Sequence, residues 1–421
     1  MSSTTFRFVH AADLHLDAPF HGLRHASAAV TQALGQAPLA AWDGLVQLTI
    51  EQEAAFLLLA GDICDGAERS VRAQVRFLAG LQRLSAHGIR TFIVRGDEDP
   101  AGPWTGIHQW PDLVHCFGSR DVESVSVTTT DGHLATIHGI SHSTGKPTSH
   151  VKRFKRGPDT GIHIGLLHAS MGRIGDVVSC DHCEMNDLEA VGMDYWALGH
   201  HHRHQRLSKG RPWVVYPGTL QGRSLSGDET GLKGAVLVTV ANGAIANASL
   251  HALDSVRLMR ADVDTSAMAD PSDLRQALPA VATRLGSEAE GRPVVACAML
   301  QGRRPAWAGP RVVNSLWDQL LQSVRHQQDG GRPFVWWDSL VDLMDPCDIR
   351  ARNDLSTRVG RLVDAVRRTP GRLDQLLADH DVPCAGPATL AGPPILDSIA
   401  VDDLLASAET LLLDLLECEP S

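Results

Sequence analysis

Ile93-Val94-Arg95-Gly96-Asp97-Glu98-Asp99-Pro100 is an apolar run that ends in a glycine turn and then presents three carboxylates in succession. Three like charges in a row repel one another, and away from a solvated loop something must offset them. The same grammar, an apolar run closed by a polar turn, occurs twice upstream, in "FRFVHAADLH" from Phe6 and in "AAFLLLAGDICD" from Ala54. An amphipathic stretch over 67–87 separates the second run from the third. Downstream follow "HLATIHGISH", "GIHIGLLHAS", "MDYWALGHHHRHQ", "PWVVYPGTL" and "KGAVLVTVANG", each an apolar run closed by Gly, His or Asp. Strands alternating with helices and then giving way to strands alone predict an α/β fold that becomes more purely β.

The chain has 421 residues, 43% of them hydrophobic, which is enough for two or three domain cores. No apolar run approaches the roughly 20 residues of a membrane span, and the N-terminus enters a strand directly, so a cytoplasmic globular protein with no membrane partner is expected. Eight scattered cysteines read as free thiols. One C-x-x-C, "CDHC" at Cys180–Cys183, lacks a second half for a zinc site and reads as an ordinary loop. The net charge of −11 excludes a protein coated in basic surface but not a local phosphate-binding patch. "HVKRFKRG" offers one: in a helix Lys152, Arg153, Lys155 and Arg156 share a face, which is either a DNA-binding patch or a solvated surface.

After about residue 255 the pattern changes. "SVRLMRADVD" and "RPVVACAMLQ" read as strands separated by a helix over 272–288, and a helix over 314–327 leads into "RPFVWWDSL". From about 350 the chain reads as helical, with a Pro-rich break. The expected organisation is therefore a main domain at 1–254, a smaller α/β capping domain at 255–345 and a helical C-terminal region at 346–421.

In open α/β sheets, ligands gather where loops converge beyond the C-terminal ends of strands. Those ends carry Asp13, His15, Asp62, Asp97, His168, His200 and His202. Alternate residues at a strand end project to the same side, so Asp13 with His15, and His200 with His202, point together. A single histidine on an apolar strand is usually a satisfied structural residue, but four histidines and three aspartates at successive ends predict convergence on two divalent cations. Mixed carboxylate and imidazole donors suit Mn²⁺, Fe²⁺ or Zn²⁺.

D-x-H, G-D, a glycine turn bearing a ligand, a single His after an apolar strand, and G-H-x-H together resemble the calcineurin-like metallophosphoesterase superfamily. Within it, "FVHAADLHLDAPF", "LLHAS", "ALGHHHRHQ" and "YPGTLQGR…ETGLKG" are similar to bacterial SbcD/YhaO-type DNA repair exonucleases, over about residues 6–240. The resemblance implies a four-layer β-sandwich flanked by helices. It implies that Asp13, His15, Asp62 and His202 hold one metal and that Asp62, Asp97, His168 and His200 hold the other, with Asp62 as the bridge and Mn²⁺ as the expected ion. It further implies DNA as substrate, an SMC-like ATPase as partner, and a homodimer. Other readings are a metal- and DNA-binding structural subunit with weak catalysis, and a phosphodiesterase for small nucleotides.

The glycine turn departs from the family pattern, which reads G-N-H-D or G-N-H-E; here it is Gly96-Asp97-Glu98-Asp99. Glu98 stands where the family has a catalytic histidine. A carboxyl group titrates near 4.3 in the open, and adjacent cations favour its ionised form, so Glu98 is expected to be a poor proton donor at neutral pH.

Overall fold

The computed structural model describes residues 5–345, except 21, 24–25, 66–69, 100–108, 131, 144–148, 172–180, 306, 309–312 and 329–332, and also describes Val363. The chain first lays down β1 (Phe6–Ala11), β2 (Phe56–Ala60), β3 (Arg90–Val94) and β4 (Val114–Cys116), which pair in parallel in that order. Helix α1 (Ala28–Glu51) connects the first two strands and α2 (Val71–Ala86) the next two. A second sheet follows, from β5 (Glu123–Thr129), β6 (Gly132–Ile140), β7 (Ile162–Met171), β8 (Asp181–Cys183), β9 (Tyr195–Gly199), β10 (Gln205–Arg206) and β11 (Trp213–Tyr216), with helix α3 (Met185–Val191) between β8 and β9. Its order is β10-β11-β9-β7-β6-β5, with β8 paired to β7. The chain then returns to the first sheet with β12 (Gly234–Ala241), antiparallel to β1, and β13 (Ala244–Ala252).

The apolar runs are nearly continuous because the strands are buried on both faces, and period-two alternation deals their side chains to different layers. Phe8, Phe56, Leu58, Ala60 and Phe92 face the second sheet, meeting Ile137, Ile164, Leu166, Tyr195 and Ala197 in one core. Their neighbours Val9, Leu57, Leu59 and Ile93 face the other way, against Trp42, Leu45 and Val46 of α1 and Phe77, Leu81 and Leu84 of α2. On the far side, Leu167, Trp196, Leu198 and Val214 pack with Leu188 of α3. Helix, sheet, sheet and helix make four layers, as the resemblance implied. Ser27 and Ser70 cap α1 and α2, their hydroxyls accepting from Val30 N and Ala73 N at 3.4 and 3.3 Å.

A third sheet, β14-β15-β16, comprises β14 (Arg257–Asp264), β15 (Val294–Gln301) and β16 (Val335–Asp342), accompanied by α4 (Pro271–Glu288) and α5 (Val313–Gln328). By contacts the chain divides into a unit of Met1–Val263, Arg275–Met299 and Leu320–Val341, and a unit of Asp264–Leu274, Leu300–Gln319 and Asp342–Ser421. Within the first unit, Val30, Leu34 and Ala37 of α1 pack with Val256, Leu258, Val295 and Trp336. The expected helical region at 346–421 lies outside the described residues, Val363 aside. Among the described residues no helix is long and apolar enough to cross a membrane.

Two local expectations are corrected. "HVKRFKRG" does not form a helix: only Val151–Arg153 make a single 3-10 turn, and Phe154 is already extended at φ −70 and ψ 141. Val151 and Phe154 are drawn into the core, which ends the helical geometry and removes the shared face. Arg153 instead pairs with Asp121 and Arg156 with Asp194, each at 2.9 Å, and Lys152 lies 3.6 Å from Asp187. Lys155 is exposed. The second correction concerns "CDHC", whose Asp181–Cys183 extend β8 beside β7 instead of forming a loop, burying Cys183 against Leu188; Cys180 lies outside the described residues.

Candidate metal centre

Parallel pairing in register carries the ends of β1, β2 and β3 to one edge of the first sheet, and those of β7 and β9 to the matching edge of the second. Four of the seven expected ligands then adopt backbone conformations that L residues avoid: Asp13 (φ 51), His15 (φ 42), Asp62 (φ 51) and His200 (φ 105). Such residues cost about 1–3 kcal/mol each and persist only where the surroundings over-determine them. Here the β1 and β2 ends zip together, Asp13 N donating to Gly61 O, His15 N to Asp62 O and Leu16 N to Ile63 O, each at 3.0 Å.

Two glycines admit the functional groups. A Cβ at Gly96 would stand 2.0 Å from Asp62 Oδ1, and one at Gly199 would stand 1.8 Å from the carbonyl oxygen of Ala60. The second contact is where the two sheets meet, and His168 completes it by donating from Nδ1 to Ala60 O at 2.8 Å. That bond fixes the tautomer and turns Nε2 into the site.

All seven expected ligands come together. Asp13, His15 and His202 form one group whose donor atoms lie within 4.8 Å of one another, and Asp97, His168 and His200 form another. Asp62 groups with Asp13 from the first set and His168 from the second. Its Oδ2 lies 3.9 Å from His15 Nε2 and 3.4 Å from His168 Nε2. Asp97 Oδ1 is 3.0 Å from His168 Nε2 and 3.6 Å from His200 Nδ1, and His15 Nε2 is 3.3 Å from His202 Nε2. Burial would raise the Asp62 carboxyl, but His168 and then His15 outweigh it and hold the group at about 2. Burial likewise opposes the charged form of His168, yet Asp62, Asp97 and Asp13 hold it well above the ordinary imidazole value. Hard oxygens and imidazoles converging in two groups of three, with a carboxylate between them, fit a pair of divalent cations.

Several supporting residues escaped the sequence reading. Asp65, the last letter of "GDICD", accepts from His15 Nδ1 at 2.5 Å, and Glu229, in "ETGLKG", accepts from His202 Nδ1 at 2.6 Å. Carboxylates behind ligating imidazoles orient the ring and raise its basicity. Burial would raise Glu229, but its bond to His202 holds it at about 2. Asp65 was legible as a second carboxylate in the strand-end turn, whereas Glu229 sits in a 3-10 turn, Gly227–Glu229, with no local signature. Glu229→Gln should lower divalent-metal affinity about 10- to 100-fold at unchanged fold, measured by manganese titration.

The carboxylate triplet divides its labour. Asp97 faces the histidines, while the exposed Glu98 lines the cavity and donates its backbone N–H to Asp62 Oδ1 at 3.1 Å. Asp99 turns inward, 8% exposed, and accepts from the amides of Ile63 (2.9 Å), Cys64 (3.1 Å) and Gly96 (2.8 Å). Backbone amides tie Asp99 between the β2 turn and the β3 turn and offset part of its burial, although burial and then Asp62 still raise its carboxyl to about 7. Asp99→Asn should cost about 1–3 kcal/mol, because an amide nitrogen would face a buried N–H; a lower denaturant midpoint at unchanged slope is the expected readout. Burial, then Asp62, Asp65 and Asp97, raise the Glu98 carboxyl.

The resulting cavity, about 300 Å³, is lined by His15, Asp62, Asp65, Asp97, Glu98, His200, His202 and Arg223. The four basic residues of 152–156 are absent from this lining.

A family model described as calcineurin-like phosphoesterase matches residues 6–204. The uncharacterized metallophosphoesterase YhaO of Bacillus subtilis is 35% identical over 336 residues, covering 79% of this chain and 80% of that protein. The DNA double-strand break repair protein Mre11 of Sulfurisphaera tokodaii is 24% identical over 244 residues, 56% of this chain and 60% of its own length. Its namesake from Thermoplasma acidophilum is 27% identical over 212 residues, 48% of this chain and 55% of its own.

Proposed function

The chain belongs to the calcineurin-like phosphoesterase family, and on that premise we propose that it is a two-metal phosphodiesterase whose substrate is DNA. The observation that carries this reading is the pair of three-donor groups with Asp62 between them, opening on a cavity at the meeting edge of two sheets. Bound there, two divalent cations would supply Lewis acidity, neutralising charge on the phosphoryl oxygens and making water nucleophilic near neutral pH. Asp13, His15, Asp62 and His202 would hold one cation, and Asp62, Asp97, His168 and His200 the other, with Mn²⁺ the proposed metal. Asp65 and Glu229 hold the His15 and His202 rings toward the cavity, and Ala60 O does so for His168. Glu98 lines the cavity at the position of the family's proton donor, but cations beside it would oppose the protonated form a donor needs.

DNA is supported by the two relatives named as DNA double-strand break repair proteins. The resemblance in sequence likewise supports an SMC-like ATPase as partner and a homodimer. One observation favours a second reading, a subunit that binds metal and DNA with little turnover: Glu98 occupies the position of the family's histidine. Incubation with Mn²⁺ and either end-labelled duplex or bis-p-nitrophenyl phosphate decides between them. Metal-dependent cleavage of both is expected. Binding of duplex without cleavage of either would favour the second reading, and cleavage of the small ester alone would remove DNA as substrate.

A further inference from the structure

Among the described residues that line the cavity, Arg223 is the one lysine or arginine, facing Asp62, Asp65, Asp97 and Glu98. Its guanidinium is held loosely: Nη1 lies 3.5 Å from Asp65 Oδ2, and Nη2 lies 3.6 Å from Glu229 Oε1. These separations are at or beyond the limit of a hydrogen bond. Two buried or half-buried arginine pairs elsewhere in the chain are closed forks, Arg257 on Asp254 at 2.8 and 2.9 Å and Arg304 on Asp342 at 2.8 and 3.0 Å. Arg223 Nε is buried and has no partner among the described residues. The backbone, by contrast, is firmly set: Arg223 N donates to Glu229 Oε2 at 3.0 Å, and Lys233 Nζ donates to His202 O at 2.8 Å and also to Asp228 O.

A fixed backbone with unspent guanidinium donors at the wall of an acidic cavity is suited to a ligand that brings its own negative oxygens. We propose that Arg223 is the phosphate-binding residue of this site, its guanidinium donating charge-assisted hydrogen bonds to a non-bridging oxygen of the substrate phosphodiester. The planar fork of a guanidinium matches phosphate geometry. Glu229 then serves two ends of the site at once, orienting His202 through Nδ1 and seating Arg223 through its backbone amide. The inference rests on the phosphodiesterase reading and names the side chain that recognises the substrate's charge.

Calorimetric titration of inorganic phosphate into the manganese-loaded full-length protein tests it, alongside elemental analysis and steady-state hydrolysis of bis-p-nitrophenyl phosphate. Arg223→Gln should weaken phosphate binding and raise KM by about 10- to 100-fold, the loss expected for a hydrogen bond to a charged group, while retaining manganese. Arg223→Lys should fall between, keeping the charge without the fork. Unchanged phosphate affinity in Arg223→Gln overturns the proposal. So does loss of manganese with unaltered phosphate binding by the loaded fraction, which would leave Arg223 as a brace for Asp65 and Glu229. A parent protein that neither binds phosphate nor cleaves the ester defeats the phosphodiesterase reading itself, and this inference with it.

Discussion

Asp62→Ala should release both cations together and reduce hydrolysis by about 10³-fold or more, whereas His15→Ala should weaken one cation position. Asp62 is placed toward both sets, with Oδ2 3.9 Å from His15 Nε2 and 3.4 Å from His168 Nε2. A bridging carboxylate lost from a two-metal site removes several kcal/mol of charge stabilisation, and each 1.36 kcal/mol is tenfold in rate. Asp62 Oδ1 also accepts the Glu98 amide, so Asp62→Asn serves as the control that preserves shape while removing charge. Elemental analysis finding two metals in Asp62→Ala would refute the bridge.

The second large effect is a gain. Asp97→Asn combined with Glu98→His restores the family's turn, and phosphodiesterase activity should rise by about 10²–10⁴-fold, the range contributed by a positioned general acid. The geometry permits it. Asp97 reaches His168 and His200 through Oδ1, an atom asparagine keeps, and Glu98 is exposed at the cavity with its backbone already anchored on Asp62. An imidazole there titrates near neutral pH. The gain should be largest for esters with poor leaving groups, which need the proton most, and smaller for an activated aryl ester. A folded, metal-replete double variant slower than the parent on both substrates would mean that Glu98 is a working part of the site.

The ligands were legible because a strand end leaves a strong local trace: an apolar run, a glycine, then a donor. Asp62, Asp97 and His200 announce themselves in this way, and Asp13 and His168 close apolar runs without the glycine. The same runs gave strands alternating with helices, since strands buried on both faces carry no polar alternation, while the four layers came from the family resemblance. What was hidden depends on contacts far apart in sequence. Glu229 meets His202 only after the chain has crossed β11, and no periodicity encodes that meeting. Asp99 looked like one more charge needing a cation, and its partners are backbone amides, which every residue but proline carries and no sequence pattern marks. The basic stretch misled because spacing was read as a helix face, while burial of Val151 and Phe154 governed the backbone.

The meeting of the two sheets at Ala60, Gly199 and His168 has a mechanical consequence. The first sheet's loops present Asp13, His15, Asp62 and Asp97, and the second sheet's elements present His168, His200 and His202, so each ligand set draws on both. A cation held by such a set acts as a removable rivet between layers, and its binding energy becomes cohesion between them. At a free metal concentration 1,000 times the dissociation constant, one such rivet adds about 4 kcal/mol against unfolding. Chelation should therefore lower the melting temperature. Hydrogen-exchange protection should fall first along β2 and β9, whose ends form the seam, while the helix-covered outer faces exchange as before.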